Sequence, residues 1–153
     1  MGEVQLAAML CAFLAGSENE TRRYFDVNGM ARHVRVDCET EAHAIEIGLD
    51  GTPSARDSLH QALFYSELTG KAPVVILIDR DGYEGRFEYE TRIVAARAEV
   101  TYVTCAKSAI LRWAATAPWR HVDRMSDDVP RDGSAGAVCN LDVLKDMARG
   151  AEG

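Results

Sequence analysis

RVDCETEAHAIEIGLDGTPSARDSLHQALFY, residues 35–65, decides how the rest of the chain is read. An apolar run ends on Asp37, and Glu39–Ala42 is short enough to be a turn. In His43–Leu49, Ile45, Ile47 and Leu49 fall on one face of a strand and Ala44, Glu46 and Gly48 on the other. Gly51 and Pro53 break the chain. Ser54 is placed to cap a helix over Ala55–Leu68, which Gly70 closes. That helix carries Gln61 and Tyr65 one turn apart, with Leu59, Ala62, Leu63 and Ser66 as one stripe at helical spacing and Leu59, Leu63 and Leu68 as core.

Upstream, Asn28-Gly29 separates Tyr24–Val27 from Ala31–Asp37, a strong hairpin signal. Val34 and Val36 alternate there with His33, Arg35 and Asp37. With His43–Leu49, these runs predict a three-stranded antiparallel meander. Ser17–Arg23 is polar and reads as a loop or helix end, and Glu3–Leu14 as an apolar helix.

Downstream, Pro73–Asp79 reads PVVILID, a strand buried on both faces as in parallel or mixed sheets. Asp81-Gly82 turns the chain into a helix over Gly85–Glu99, with Tyr89, Ile93 and Ala96 on one side. A strand over Val100–Thr104 and a helix over Ala106–Ala117 follow. The predicted class is α/β: a mixed sheet, meander plus βαβ, flanked by helices. Residues 1–117 form the expected domain. Residues 118–153 read as a polar tail with a short helix over 140–149.

The chain has 153 residues and a formal charge of -7. That excludes a protein gripping nucleic acid with its whole surface, though not a local groove or a metal that offsets carboxylate charge. Cys11, Cys38, Cys105 and Cys139 lack the spacing of a zinc site. The first three read as small core residues, so free thiols and a cytoplasmic setting are expected. The apolar run Val4–Ala15 lacks a basic leader and is too short to span a bilayer, so no membrane association is expected.

Asp37 and Glu46 fall on adjacent strands of one hairpin, where opposed Cβ atoms lie ~5 Å apart. Two carboxylates that close need a cation between them, and Mg²⁺ or Mn²⁺ is the usual one. Arg22, Arg23, Arg32 and Arg35 are the densest basic group, suited to phosphate contact or to guarding a strand edge. His43 and His60 are weaker candidates for proton transfer. Trp113 and Trp119 read as packing for the last helix.

Asp37, Glu46-Ile47-Gly48 and the Gln61…Tyr65 spacing together resemble the PD-(D/E)XK nuclease superfamily, in its small stand-alone members of the RecB-like branch. The likeness covers residues 3–104. It implies a restriction-endonuclease-like core and a metal held by Asp37, Glu46 and the carbonyl of Ile47. Glu3 stands where relatives carry an extra acidic ligand. Gln61 and Tyr65 would orient the site or touch the substrate backbone, and Arg56 would stabilise the phosphate, with Arg35 of the basic group as a further substrate contact. Gly48 occupies the place of the family's lysine. Arg56 does not replace it as a base, because a guanidinium does not deprotonate.

The function so implied is Mg²⁺- or Mn²⁺-dependent hydrolysis of nucleic acid, DNA rather than RNA. The alternative is an inactive nuclease fold serving as a binding or assembly module, with a protein partner or a second copy in a homodimer.

Overall fold

The computed structural model describes residues 2–14, 17–116, 139, 141 and 144. In chain order its elements are α1 (Glu3–Phe13), β1 (Glu18–Val27), β2 (Met30–Glu39), β3 (His43–Leu49), α2 (Ser54–Thr69), β4 (Ala72–Asp79), α3 (Arg86–Arg97), β5 (Thr101–Ala106) and α4 (Lys107–Ala115). The strands form one sheet in the order β1-β2-β3-β4-β5. The first two pairings are antiparallel and the last two parallel. The α/β class and the mixed sheet stand as the pattern predicts.

Asn28 and Gly29 both take positive φ, 51° and 78°, and join Val27 to Met30 in a two-residue turn. Such turns match the right-handed twist of the strands they connect. Val74, Val75, Ile76, Leu77 and Ile78 are all fully buried, since β4 is covered on both faces. On one face, Leu6 and Leu10 of α1 and Ile110 of α4 pack against Ile45, Ile47 and Ile76. On the other, Ala55, Leu59 and Ala62 of α2 and Ala95 of α3 pack against Val75 and Leu77. Phe13 meets Trp113 edge to face at 5.2 Å, joining α1 to α4. Trp119 lies outside the described residues.

Several details differ from the pattern. β1 starts at Glu18, so most of the segment read as a loop is strand. Its polar side chains hid it, because Thr21 and Arg23 serve a buried acid and not an apolar core. Leu63 is exposed, because α2 turns its small residues Ala55 and Ala62 to the sheet. Ser54 is the first residue of α2, and the cap position is Pro53. On α3 the expected face is outside: Tyr89, Ile93 and Ala96 are exposed, while Glu88, Thr91 and Ala95 are buried. Glu88 in the first turn accepts a hydrogen bond from Gly51 N–H at 2.7 Å, and that tie sets the rotation of the helix.

The cysteines also depart from expectation. Cys11 is bridged to Cys38 and Cys105 to Cys139, so none is a free thiol. The partners lie 27 and 34 residues apart, where spacing carries no signal. The thiol argument for a cytoplasmic setting loses its support. Beyond residue 116, Cys139 forms its bridge and Leu141 and Leu144 are buried in the α1–α4 core. The rest of the expected 118–153 tail, including most of the helix over 140–149, lies outside the described residues. Among the described residues no helix is long and apolar enough to cross a membrane.

Candidate functional site

β2 and β3 pair at Glu39↔Ala44 and Cys38↔Ile45, and there the ladder stops. The next opposed pair would be Asp37 and Glu46. At that point side chains take over from backbone. Ile47 N–H donates to Asp37 Oδ2 at 2.9 Å, and Asp37 N–H donates a longer bond to Glu46 Oε1 at 3.4 Å.

The cause lies partly on β1. The β1–β2 register runs Asn19↔Cys38 and then Thr21↔Val36, which leaves Glu20 opposite Asp37 but outside the ladder. Glu20 has φ 50°, in the left-handed region that costs a non-glycine residue ~1–2 kcal/mol. Val34 and Val36 pack toward Tyr65 and Phe64 on α2, whereas Cys38 packs toward α1. The strict alternation of a strand thus breaks at Asp37, and Glu20 and Asp37 sit together where the hairpin changes face.

α1 closes this corner. A cavity of about 110 Å³ is lined by Glu3, Asn19, Glu20, Asp37 and Ile47, among others. Water fills ~30 Å³ per molecule in the liquid, so the space suits a hydrated cation and is too small for a nucleotide. Glu3 arrives from the first turn of α1, and the Cys11–Cys38 bridge fixes that helix beside Asp37. Glu46 lies deeper, only 4% exposed, in register with Val75 on the α2 side of the sheet.

The electrostatics are those of two acids forced together. Burial first, and then the charge of Asp37, push the Glu46 carboxyl up to about 9. Asp37 is also raised, chiefly by burial, against the opposing pull of the Ile47 N–H. Glu3 and Glu20 add negative charge, and no cation pairs with Asp37 or Glu46 among the described residues. At neutral pH the pair therefore holds a proton, and a divalent cation could replace it. Among the described residues Asp37, Glu46 and Glu3 do not form a group whose oxygens all lie within 4.8 Å of one another, so a shared ion would have to draw them together.

The other predicted site residues divide. Tyr65 is 5% exposed and packs on Val36 and Ala44. Its hydroxyl is pushed up to about 12 by burial and then by the charges of Glu46 and Asp37. Gln61, half-buried, lies one turn earlier on the same side of α2. Arg35 is exposed, two residues before Asp37 and opposite Arg22.

Arg56 goes elsewhere: it pairs with Glu90 of α3 at 2.8 Å and stacks over Phe87. Lys71, the nearest lysine after α2, is held by Glu39 at 2.9 Å. His43 is buried and its basicity is lowered by that burial, while His60 is exposed. Gly48 has a packing reason. A Cβ there would lie 2.7 Å from Ser58 Oγ and 3.0 Å from Leu77 Cδ2, so α2 occupies the space a longer side chain would need.

Two features escaped the sequence reading. Glu20 was hidden because its role depends on register with Asp37. Glu39, read as part of a turn, ends β2 and is buried, accepting from Thr21, Arg23 and Lys71. A separate set of three acids, Asp50, Asp79 and Asp81, brings one oxygen from each within 4.8 Å. Arg80 already occupies Asp50 there, at 2.6 Å.

In comparisons with known proteins, no family model, no curated protein and no solved structure matches this chain.

Proposed function

We propose that this protein is a divalent-metal-dependent nuclease of the PD-(D/E)XK type, with a restriction-endonuclease-like core and its centre at the β2–β3 hairpin. One observation carries the reading: two adjacent carboxylates, Glu46 buried and Asp37 half-buried, have no cation paired with them among the described residues and are kept together where the strands part. Burial of such a pair is costly unless a bound ion or a shared proton offsets it.

Asp37 and Glu46, with Glu3 and the Ile47 carbonyl, would hold Mg²⁺ or Mn²⁺. The ion supplies an activated water and charge stabilisation at a phosphoryl oxygen. Ile47 N–H fixes the Asp37 carboxylate. The Tyr65 ring walls the α2 side, and Arg35 and Arg22 offer an exposed basic pair for a phosphate backbone. DNA is the proposed substrate. The two disulfides suit an oxidising compartment better than the cytoplasm that free thiols would suggest.

Closed packing at Gly48 and the pairing of Lys71 with Glu39 favour a second reading. In it, the fold retains the acids but no lysine and acts as a binding or assembly module, with a protein partner or as a homodimer. Calorimetric titration of Mn²⁺ into wild type and the Asp37→Ala, Glu46→Ala double variant comes first. Binding to wild type alone, with Mn²⁺-dependent cleavage of single- or double-stranded DNA, supports the nuclease. Binding without cleavage of DNA or RNA supports the module, and no binding removes both metal and chemistry.

A further inference from the structure

The β1–β2 hairpin outruns its neighbour in the sheet. β2 pairs with β3 only at Cys38 and Glu39, whereas β1 and β2 stay paired out to Val27 and Met30. Beyond Asp37 the hairpin is therefore a two-stranded arm. One face of it is anchored on α2, where Phe25 meets Phe64 edge to face at 5.2 Å and Val34 and Val36 pack beside Phe64 and Tyr65.

The opposite face begins at the candidate centre. From the Glu20–Asp37 corner, strand alternation puts Arg22 opposite Arg35, and then Tyr24 opposite His33, on that face. Successive pairs on one face lie ~7 Å apart along a strand. All four side chains are exposed. Tyr24 is 68% exposed, and its ring is tilted 46° to that of His33 with centroids 5.8 Å apart.

Stability alone does not account for this face. Like charges directly opposed destabilise a strand pair, and opposite charges there would support it. Yet Arg22 faces Arg35, and neither has an ion-pair partner among the described residues. In a chain of formal charge -7, the pair makes a local anion site beside the carboxylate centre. Asp26, the next residue of β1 on that face, ends it.

We propose that this face of the arm is the path of a single strand of nucleic acid into the Asp37–Glu46 centre. Its phosphates lie on Arg22 and Arg35, and one base stacks on Tyr24. The inference rests on the nuclease reading for the direction of the path. A duplex fits the face less well. In a duplex the grooves present base edges and not base faces, so Tyr24 gains no stacking partner, and two arginines offset little of the duplex charge. An unstacked base offers the ring face that an exposed aromatic takes up, whatever the sequence.

The test is fluorescence anisotropy with a labelled oligodeoxythymidylate, using the full chain in EDTA and the Asp37→Ala, Glu46→Ala variant. Both should bind, since the path does not need the metal. An abasic strand of equal length should bind about tenfold more weakly. Tyr24→Ala should lose about tenfold for thymidylate and no longer distinguish it from the abasic strand, and Tyr24→Trp should restore both. Arg22→Ala should reduce the slope of log affinity against log salt by ~0.7, one phosphate contact on a single strand. Tyr83→Ala, which removes an exposed tyrosine from the turn after β4, should bind as wild type does. The same titration with oligouridylate identifies the preferred sugar. Equal affinity for thymidylate and abasic strands, undiminished binding in Tyr24→Ala, or equal competition by a duplex overturns the proposal. So does a dimer that Tyr24→Ala dissolves in a protein that binds no oligonucleotide, which gives the arm to a second copy. Binding as expected without Mn²⁺-dependent cleavage by wild type keeps the path and removes the nuclease. Cleavage undisturbed by Tyr24→Ala and Arg22→Ala keeps the nuclease and removes the path.

Discussion

Glu39 and Asp37 stand two residues apart on β2, yet the fold treats them in opposite ways. Glu39 is buried beside Arg23 and Lys71 and accepts from Thr21, and these partners hold its carboxyl down to about 2 against the cost of burial. Asp37 is half-buried beside Glu46, with further acids at Glu3 and Glu20, and is raised. The same strand thus carries one acid that is silenced by cations and one that is left demanding a cation. A merely structural acid is expected to look like Glu39. The contrast is the strongest reason to read the Asp37–Glu46 pair as a site.

The sharpest test of this contrast is chemical. Asp37→Ala or Glu46→Ala should lower Mn²⁺-dependent cleavage by ~10³-fold or more, equivalent to ~4 kcal/mol of barrier. Glu39→Gln, compared per folded molecule, should change it by only a few-fold. Equal losses in gel-based cleavage assays would mean that both acids act through stability.

Next in size is the Cys11–Cys38 bridge, which lies between the two regions. Replacing both cysteines by Ala should cost ~3 kcal/mol, the scale for a loop of this length. Because α1 carries Glu3, Mn²⁺ affinity should fall as well, while the Glu39 network, which uses β1 and the α2–β4 turn, persists. Chemical denaturation and calorimetry on the one variant separate these effects. Unchanged Mn²⁺ affinity would detach α1 from the metal site.

Stability should then move in opposite directions at the two acids. Glu39→Gln weakens four charge-assisted bonds from three partners and should cost ~2 kcal/mol, tempered because Arg23 keeps access to solvent. Glu46→Gln relieves a buried acid pair and should stabilise the metal-free protein at pH 8 by ~1–2 kcal/mol. The pH profile follows the same signs. Glu46 titrates higher in the folded chain than its ordinary 4.5, so its stabilisation is full below about 4.5 and gone above about 9. Glu39 titrates lower when folded, so its contribution is present above 4.5 and lost as pH falls toward about 2. Tm of the metal-free protein should peak near the meeting of these windows. Saturating Mn²⁺ should flatten the upper limb. An upper limb that survives Glu46→Gln would assign it to another group.

The hairpin and the acids on it were legible because Asn28-Gly29, the period-two alternation and the PVVILID run are local signals. Tyr65 was singled out only through the nuclease resemblance carried by its spacing from Gln61. Glu39 was not, because only the approach of Arg23 and Lys71 from other elements distinguishes it from a turn residue. The two disulfides and the rotation of α3 depend on tertiary contacts for the same reason. Gly48 stood out only against the lysine that the nuclease resemblance would lead one to expect, whereas the fold shows Ser58 on the facing helix, 10 residues on, in the space a side chain there would need. In each case the sequence shows what a residue repeats with, and the fold shows what it faces.

The smallest effect belongs to Glu20, where the two regions adjoin. Its φ of 50° suits glycine, so Glu20→Gly should stabilise the metal-free protein by up to ~1 kcal/mol. The same change removes an acid that lines the cavity with Asp37 and raises its carboxyl. Mn²⁺ affinity should therefore fall several-fold even as Tm rises. Glu20→Asn, which tolerates the left-handed conformation and keeps an oxygen, should lie between the two. Opposite movement of stability and affinity is the signature of strain held for a ligand. If both rise together, Glu20 serves only to turn the strand, and the metal contacts end at Asp37, Glu46 and Glu3.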